Sequence, residues 1–183
     1  VARDYYDSSD AEAFYYKIWG GRDIHIGIYQ SSDEDIGQAS DRTVNTLLEM
    51  VPGDLQLGRI IDLGSGYGGP ARVLAKHFGC RVDGINISKV QNDRGRNQIV
   101  KEGLEQQVFL HEANFDELPF DDAVFDVVWS EDALLHSGDR GRTIGELVRV
   151  LRPGGVFVFH DPLEVEGVSR ELLLPVLARI NLS

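Results

Sequence analysis

The sequence is poor in positive charge, and this deficit excludes several classes of partner. Its 183 residues include 18 Lys and Arg against 30 Asp and Glu, which gives a formal net charge of −12. Such a surface repels the phosphate backbone of nucleic acids and the anionic face of a membrane. The sequence therefore predicts no nucleic-acid partner and no membrane partner, and it leaves the oligomeric state open.

Cysteine and long apolar runs are also scarce. A single cysteine, Cys80, excludes an internal disulfide, and no cysteine–histidine cluster has the spacing of a metal site. No apolar stretch approaches the roughly 20 residues that a membrane-spanning helix needs, and no secretory signal is recognisable at the start. We expect a reduced, cytoplasmic protein without a metal, long enough for one well-buried domain.

Hydrophobic periodicity divides the chain near residue 54. Residues 1–54 are predicted to form an N-terminal helical lid, with a short aromatic helix over 10–19, a loop over 20–32 and a second helix capped by Asp33 or Asp35. Residues 55–183 alternate strands and helices, which predicts an α/β fold with a doubly wound, mainly parallel Rossmann-like sheet and helices on both faces. The predicted strands are 59–63, 81–87, 108–112, 124–130 and 156–160, and the predicted helices are 70–78, 88–102, 140–151 and 167–182.

A glycine-rich turn follows the first predicted strand, in the run Ile60-Ile61-Asp62-Leu63-Gly64-Ser65-Gly66-Tyr67-Gly68-Gly69. Glycines let the backbone turn sharply against a ligand at the carboxyl end of the sheet, where doubly wound folds bind nucleotides. The spacing also satisfies the dinucleotide fingerprint, so NAD is one alternative and a turn that serves only packing is another. Asp62 inside the turn, and the run Arg152-Pro153-Gly154-Gly155 before the fifth strand, favour a different cofactor.

With this combination, residues 55–161 resemble the class I S-adenosylmethionine-dependent methyltransferases. The resemblance implies S-adenosyl-L-methionine as the cofactor, with the turn residues around its amino-acid part: Asp62, Gly64, Ser65 and Gly66. The second strand ends in Gly84-Ile85-Asn86-Ile87-Ser88, where most class I members carry an acid for the ribose hydroxyls. This run resembles the small-amine N-methyltransferases and the cyclopropane synthases, which implies that Asn86, Ile87 and Gln91 surround the ribose.

The end of the third strand, Ala113-Asn114-Phe115, matches the position that meets adenine in this family. The resemblance implies that Asn114 addresses the adenine amino group and that Phe115 packs on the ring. The alternative for Asn114 is that it only turns the chain.

Two segments that are distant in the sequence narrow the resemblance to one group of methyltransferases. The first contains Tyr5-Tyr6-Asp7-Ser8-Ser9-Asp10, Phe14-Tyr15-Tyr16 and Trp19-Gly20-Gly21-Arg22-Asp23-Ile24-His25-Ile26-Gly27-Ile28-Tyr29, and the second is Trp129-Ser130-Glu131-Asp132-Ala133-Leu134-Leu135-His136-Ser137. Both look like the sarcosine/dimethylglycine N-methyltransferases of betaine synthesis, and similar segments occur in phosphoethanolamine methyltransferases. The likeness implies a lid from which Ile24 and His25 reach the cofactor, with Ser130 as a further cofactor contact. A solvated loop position is the alternative for His25.

The chemistry of amine methylation explains why aromatic residues would surround the substrate. Methyl transfer from a sulfonium is an in-line displacement that depends on positioning and desolvation. A quaternary ammonium product favours aromatic faces by roughly 0.5–2 kcal/mol per contact. The candidate cage residues are Tyr5, Tyr6, Tyr15, Tyr16, Trp19 and Tyr29, although for Phe14, Tyr15 and Trp19 we expect ordinary helix packing.

By resemblance to the phosphoethanolamine branch, His136 and Tyr6 are the candidate catalytic pair. His136 would orient the amine or accept its proton, and Tyr6 would hydrogen-bond the imidazole. The alternative is that His136 caps a turn before Gly138. Arg22 is a candidate partner for a substrate carboxylate or phosphate. Four further residues are expected to be structural: His77, Cys80, His111 and His160.

The leading hypothesis is an enzyme that methylates sarcosine and dimethylglycine. The alternatives are a phosphoethanolamine, carbon or oxygen methyltransferase and, from another class, an NAD-binding oxidoreductase or a cofactor-binding fragment without catalysis. Class I sheets usually end with two strands more than the five predicted here, so we expect a fragment that lacks the C-terminal strands. Stabilisation by S-adenosylhomocysteine but not by NAD would separate the classes.

Overall fold

The computed structural model describes residues 2–17, 19, 21, 23–162 and 167–179. The helices are α1 (Ala2–Tyr6), α2 (Ser9–Lys17), α3 (Ile36–Leu48), α4 (Gly69–Phe78), α5 (Lys89–Lys101), α6 (Arg140–Val150) and α7 (Arg170–Arg179). The strands are β1 (Arg59–Leu63), β2 (Arg81–Asn86), β3 (Val108–Glu112), β4 (Phe125–Glu131) and β5 (Leu151–His160), and a single 3-10 turn covers Leu134–His136.

The five strands form one sheet in the order β3-β2-β1-β4-β5, and every adjacent pair is parallel. The chain passes from β1 to β2 and β3 and then returns to the other side of β1 with β4. The direction of winding therefore reverses between β1 and β4, and a crevice opens outside the carboxyl ends of these strands. The predicted doubly wound fold is confirmed.

Apolar residues on both faces of the sheet build the core. On one face, the apolar stripe of α3 (Val44, Leu47 and Leu48) joins buried residues of β1, β2 and α4 in a single cluster. On the other face, Leu147 and Val150 of α6 pack with residues of β1 and β4. The helix α3 falls within the predicted lid, residues 1–54, yet it shares this core with the sheet. The boundary of the lid at residue 54 therefore stays a prediction.

Local capping fixes the helix starts that the sequence predicted. The carboxylate of Asp35 accepts hydrogen bonds from the backbone amides of Gly37 and Gln38, and the Ser88 hydroxyl accepts one from Gln91. These side chains satisfy amides that have no partner within the helix.

Two predicted elements were wrong in their bounds. The aromatic helix predicted over 10–19 corresponds to α2 and ends at Lys17, and a further short helix, α1, precedes it where none was predicted. The run Arg152–Gly155 is not a turn before β5 but an irregularity within it, because Leu151 pairs with Phe125 while Val156 pairs with Val127. The predicted last helix begins at residue 170, and residues 180–183 lie outside the described part.

In the part of the chain that the structure describes, no helix is long and apolar enough to cross a membrane. The same residues contain no group of three or more His, Cys, Asp and Glu side chains that could hold a metal ion.

Candidate functional site

A cleft of about 830 Å³ lies at the carboxyl end of the sheet, at the switch point between β1 and β4. We call it the sheet cleft. Seven of the residues singled out as cofactor contacts in the sequence line it: Ile24, Gly64, Asn86, Ile87, Gln91, Asn114 and Phe115. The structure thus brings together residues from the ends of three strands and from the N-terminal segment.

Bare backbone lines the sheet cleft at Gly64, in the glycine-rich turn. Gly64 and Gly66 have φ values of +67° and +52°, a left-handed conformation that side chains other than glycine rarely adopt. A Cβ on Gly64 would lie 2.3 Å from the Cβ of Ala133, and one on Gly66 would lie 2.9 Å from Ile24. The turn therefore needs glycine both for its conformation and for the close approach of its neighbours.

Two amide side chains, Asn86 at the end of β2 and Gln91 in α5, are hydrogen-bonded to each other. The Asn86 amide donates to Gln91 Oε1 at 2.8 Å and to the Gly66 carbonyl at 3.1 Å. Asn86 and Gln91 both line the cleft, where neutral amides suit the hydroxyls of a ribose. Farther along the cleft, Asn114 Oδ1 accepts the backbone amide of Asp116 at 3.1 Å, so Asn114 both turns the chain and lines the site.

An acidic side pocket adjoins the glycine turn. Asp23, His25, Asp62, Ser65 and Glu131 line it. Asp62 Oδ2 and the Ser65 hydroxyl are buried without a hydrogen-bond partner among the described residues. Burial, together with the nearby charge of Asp23, raises the pKa of Asp62 to about 8, and burial raises the pKa of Glu131 well above its ordinary value. Carboxyls in this state favour a cationic ligand, which would offset the cost of their charge.

Glu131 links the acidic side pocket to the N-terminal segment. Its Oε1 accepts the Trp129 indole N–H at 2.7 Å, and its Oε2 lies 3.2 Å from His25 Nε2. His25 Nε2 is also 3.1 Å from the carbonyl of Ser40, so the His25 ring is buried and fixed. The solvated-loop alternative for His25 is therefore wrong. Ser130 is fully buried beside this pair and is not among the lining residues of the clefts.

A second cleft, of about 1070 Å³, opens beside the first and is lined by aromatic rings. We call it the aromatic cleft. Tyr5, Tyr6, Phe14, Tyr15 and Trp19 line it. Phe14, Tyr15 and Trp19 also pack on one another, with ring centroids 5.2–6.1 Å apart, so packing and cleft lining coexist.

Two cage candidates from the sequence have a different outcome. Tyr29 is 45% exposed and is not among the lining residues of the aromatic cleft. The ring of Tyr16 lies outside the part of the chain that the structure describes, as does Arg22.

Tyr6 and His136 meet between the two clefts. Tyr6 Oη lies 2.9 Å from His136 Nε2, so the hydrogen bond expected from the sequence is confirmed, across 130 positions of the chain. Burial, reinforced by the charge of Tyr5, raises the pKa of Tyr6 to about 12, and burial lowers the pKa of His136. Tyr6 therefore keeps its proton at neutral pH, and His136 is mostly neutral. Their catalytic role stays a prediction.

Asp132 is the main residue that reasoning from the sequence missed. It lines both clefts, and its φ of +50° is unusual for a residue other than glycine. Its Oδ2 accepts the backbone amide of Ile26 at 2.5 Å, and its Oδ1 lies 3.0 Å from His160 Nδ1. The usable signal was its position directly after β4, at the carboxyl edge of the sheet. His160, which the sequence analysis treated as structural, lies behind it.

Asp7 was missed as well. Its carboxylate accepts the Ser88 hydroxyl at 2.5 Å and lies 3.4 Å from the backbone amide of Val90. Asp7 is adjacent to Tyr6, so this contact fixes the segment that carries Tyr6 to the start of α5.

Comparison with known proteins agrees with this geometry. The family described as a methyltransferase domain matches residues 61–159. Dimethylglycine N-methyltransferase of Parasynechococcus marenigrum is 52% identical over 182 residues, covering 100% of this chain and 65% of that protein. Sarcosine/dimethylglycine N-methyltransferase of Aphanothece halophytica is 48% identical, covering 99% of this chain and 65% of that protein. The chain thus spans just under two thirds of the length of these relatives.

Solved structures show the same fold. One assigned as a sarcosine dimethylglycine methyltransferase, from Galdieria sulphuraria, has a TM-score of 0.85 and 39% identity, covering 95% of this chain and 68% of that chain. Phosphoethanolamine N-methyltransferase 2 of Haemonchus contortus, in complex with S-adenosyl-L-methionine, has a TM-score of 0.82 and 22% identity. It covers 100% of this chain and 40% of that chain, a likeness of fold alone.

Proposed function

The chain belongs to the methyltransferase-domain family, and on that premise we propose that it carries the cofactor and amine sites of an S-adenosylmethionine-dependent N-methyltransferase. The methyl acceptor we propose is sarcosine or dimethylglycine. The names of the relatives at 48–52% identity support this choice of amine.

The observation that carries the proposal is a shared wall. Tyr6, Ile24, Asp132 and His136 each line both the sheet cleft and the aromatic cleft. A group in the sheet cleft and a group in the aromatic cleft would therefore meet at these four residues. Transfer of a methyl group between a nucleoside cofactor and a small amine needs such a junction, because in-line displacement requires the two reactants in contact.

The residues of the sheet cleft fit the cofactor. Gln91 and Asn86 offer neutral partners to ribose hydroxyls, and Phe115 offers a ring for adenine. The unpartnered Asp62 Oδ2 and Ser65 hydroxyl suit an α-ammonium group in the acidic side pocket. When bound, S-adenosylmethionine would supply an electrophilic methyl group on a sulfonium.

The aromatic cleft fits a methylated amine. Its five aromatic side chains would attract a cationic nitrogen, because each ring in contact with the cation can contribute about 0.5–2 kcal/mol of cation–π attraction. The Asp132 carboxylate adds an opposite charge at the junction of the clefts. Both features favour an amine that is protonated on arrival or quaternary on departure.

Tyr6 and His136 prepare the amine for attack. The nitrogen must lose its proton before its lone pair can displace the sulfonium methyl. Tyr6, protonated at neutral pH, donates its hydroxyl hydrogen to His136 Nε2, and its oxygen accepts a hydrogen bond from the amine. The amine proton then moves to Tyr6 Oη as the Tyr6 proton moves to His136.

Two further proposals concern the pathway and the compartment of the reaction. We propose that the reaction serves betaine synthesis and takes place in the cytoplasm. The single cysteine, which cannot form a disulfide within the chain, supports a reducing compartment.

A product assay with separated substrates tests the proposal. The protein is incubated with S-adenosylmethionine and, in separate reactions, glycine, sarcosine, dimethylglycine and phosphoethanolamine, and products are read by mass. We expect betaine from dimethylglycine. Methylated phosphoethanolamine as the only product would reject the proposed acceptor, and absence of any methylated amine would reject the N-methyltransferase proposal.

A further inference from the structure

Each amine methylation leaves a proton in the cleft, and that proton has to leave before the next turnover. In the proposed reaction the proton is first held by the Tyr6–His136 pair. Burial lowers the pKa of His136, so the imidazolium is not a stable place for it. The site therefore needs a second acceptor that reaches the surface.

Asp132 and His160 are placed to provide one. Asp132 lines the same clefts as His136, and its charge acts on that imidazole. Asp132 Oδ1 is 3.0 Å from His160 Nδ1, at ion-pair distance though outside good hydrogen-bond alignment. The Asp132 side chain is 10% exposed and the His160 side chain is 31% exposed. The pair thus runs from the buried cleft to the solvent.

The backbone holds this pair in place from both strands. Glu131 of β4 pairs with His160 of β5 in the parallel sheet, and the Asp132 amide donates to the His160 carbonyl at 2.8 Å. On the other side, the Ile26 amide donates to Asp132 Oδ2, leaving Oδ1 towards His160. A residue other than glycine held at φ +50° is consistent with a position constrained for function.

We infer that His160 acts through Asp132 as a proton relay: it takes up the proton released by each amine methylation and passes it to solvent. This inference rests on the proposed function. The amine N–H bond breaks and leaves its electron pair on nitrogen, which forms the new N–C bond, while the S–C bond breaks with its pair on sulfur. The proton passes from His136 to the Asp132 carboxylate and then to His160 Nδ1, and His160 Nε2 releases one to water.

The charged groups around the pair agree with this role. The Asp132 carboxylate beside it raises the pKa of His160, and Asp161 adds a smaller effect in the same direction. Glu131, Tyr6 and His136 also face Asp132. His160 therefore holds a proton more readily than the buried His136 does.

The test separates the first turnover from those that follow. His160→Ala is compared with wild type in a rapid-quench assay of dimethylglycine methylation. We expect a first turnover close to that of wild type and later turnovers slowed by about a hundredfold, the lower end of the range for lost general acid–base catalysis. Added imidazole should restore the later turnovers in a concentration-dependent way, as a merely structural defect would not. His77→Ala, an exposed histidine on α4, is the matched control and should behave as wild type.

A first turnover slowed as much as the later ones, or no rescue by imidazole, would overturn the inference while leaving wild-type activity intact. Failure of wild type to methylate dimethylglycine would instead reject the proposed function. A readout independent of activity is the NMR titration of the histidine ring protons. Asp132→Asn should lower the pKa of His160, and an unchanged His160 titration would also overturn the inference.

Discussion

The glycine at position 64 gives the sharpest prediction, because the chain contains a matched control for it. Gly64 and Gly79 have nearly the same left-handed backbone, at φ +67° and +65°. A Cβ on Gly64 would lie 2.3 Å from Ala133 Cβ, whereas a Cβ on Gly79 would meet nothing within 4 Å. Replacing each glycine by alanine therefore adds the same backbone strain, and only one replacement adds an overlap.

The two contributions have separate magnitudes. A left-handed alanine costs about 1–2 kcal/mol, which is the whole effect expected for Gly79→Ala. Forcing an extra methyl into a packed site costs about 1–3 kcal/mol more, so we expect Gly64→Ala to lower the free energy of unfolding by about 2–5 kcal/mol. Because Gly64 and Ala133 both line the sheet cleft, the relaxation also distorts the cofactor site. We expect affinity for S-adenosylhomocysteine to fall at least about tenfold in Gly64→Ala only, which corresponds to 1.4 kcal/mol.

Urea unfolding and calorimetric titration measure the two effects. The double variant Gly64→Ala/Ala133→Gly removes the partner of the overlap and should recover the part of the loss that exceeds Gly79→Ala. Equal stability and equal cofactor affinity for the two single variants would refute the reasoning, because it would mean that the Gly64–Ala133 approach constrains neither the fold nor the cleft.

Three further predictions concern titratable side chains. Without ligand, Asp62→Asn should become more stable relative to wild type as pH rises from about 4 to 8, because the raised pKa of Asp62 makes wild type lose stability over this range. A difference in melting temperature between the two proteins that does not grow with pH would contradict this. His136→Ala should lower turnover about a hundredfold or more and leave S-adenosylhomocysteine affinity nearly unchanged, so unaltered turnover would remove His136 from the mechanism. Asp83→Asn should lower the free energy of unfolding by about 2–4 kcal/mol in urea titrations, whereas the exposed Asp93→Asn should leave it nearly unchanged, and equal losses would count against a buried ion-pair network.

The reason for the Asp83 prediction is its set of partners. The carboxylate is fully buried, and Arg59, Arg81 and His111 each approach it at 2.7–2.8 Å. Burial alone would raise the pKa of Asp83, but the hydrogen bonds from His111, Arg81 and Arg59 hold it well below its usual value. The stability that this carboxylate contributes is present above the unfolded pKa, near 4, and is lost as pH falls towards the folded one. The Asp93 carboxylate, by contrast, is half exposed.

Local signals were sufficient to predict the sheet and its glycine turn. Capping by Asp35 and Ser88, the apolar strands, and the glycines at 64 and 66 depend on residues a few positions apart, so a sequence contains them directly. The break between α1 and α2 is different, because Tyr6 contacts a histidine 130 positions away and Asp7 contacts a serine 81 positions away. Such contacts decide where a short helix ends, and nothing in its own sequence indicates them.

His160 illustrates a second limit. The sequence predicted a structural role for His160, because it did not reveal which strand lies beside the one that ends at this residue. The parallel register places Glu131 opposite His160, which brings Asp132 next to the imidazole. Neighbouring strands of a parallel sheet end at the same edge, so polar residues that follow adjacent strands deserve to be considered together even when one of them resembles a core residue.

The charge balance of the reaction explains why acids surround both clefts. At neutral pH the proposed cofactor carries a sulfonium, and the acceptor amine arrives protonated, so the two reactants would repel each other at the junction. Asp62 and Glu131 on one side and Asp132 on the other lower that cost. Once the amine proton has left, methyl transfer moves one positive charge from sulfur to nitrogen and creates none. Release of that proton to solvent is therefore the step of the reaction that changes the net charge of the cleft, and an exit through Asp132 and His160 would complete it before the next turnover.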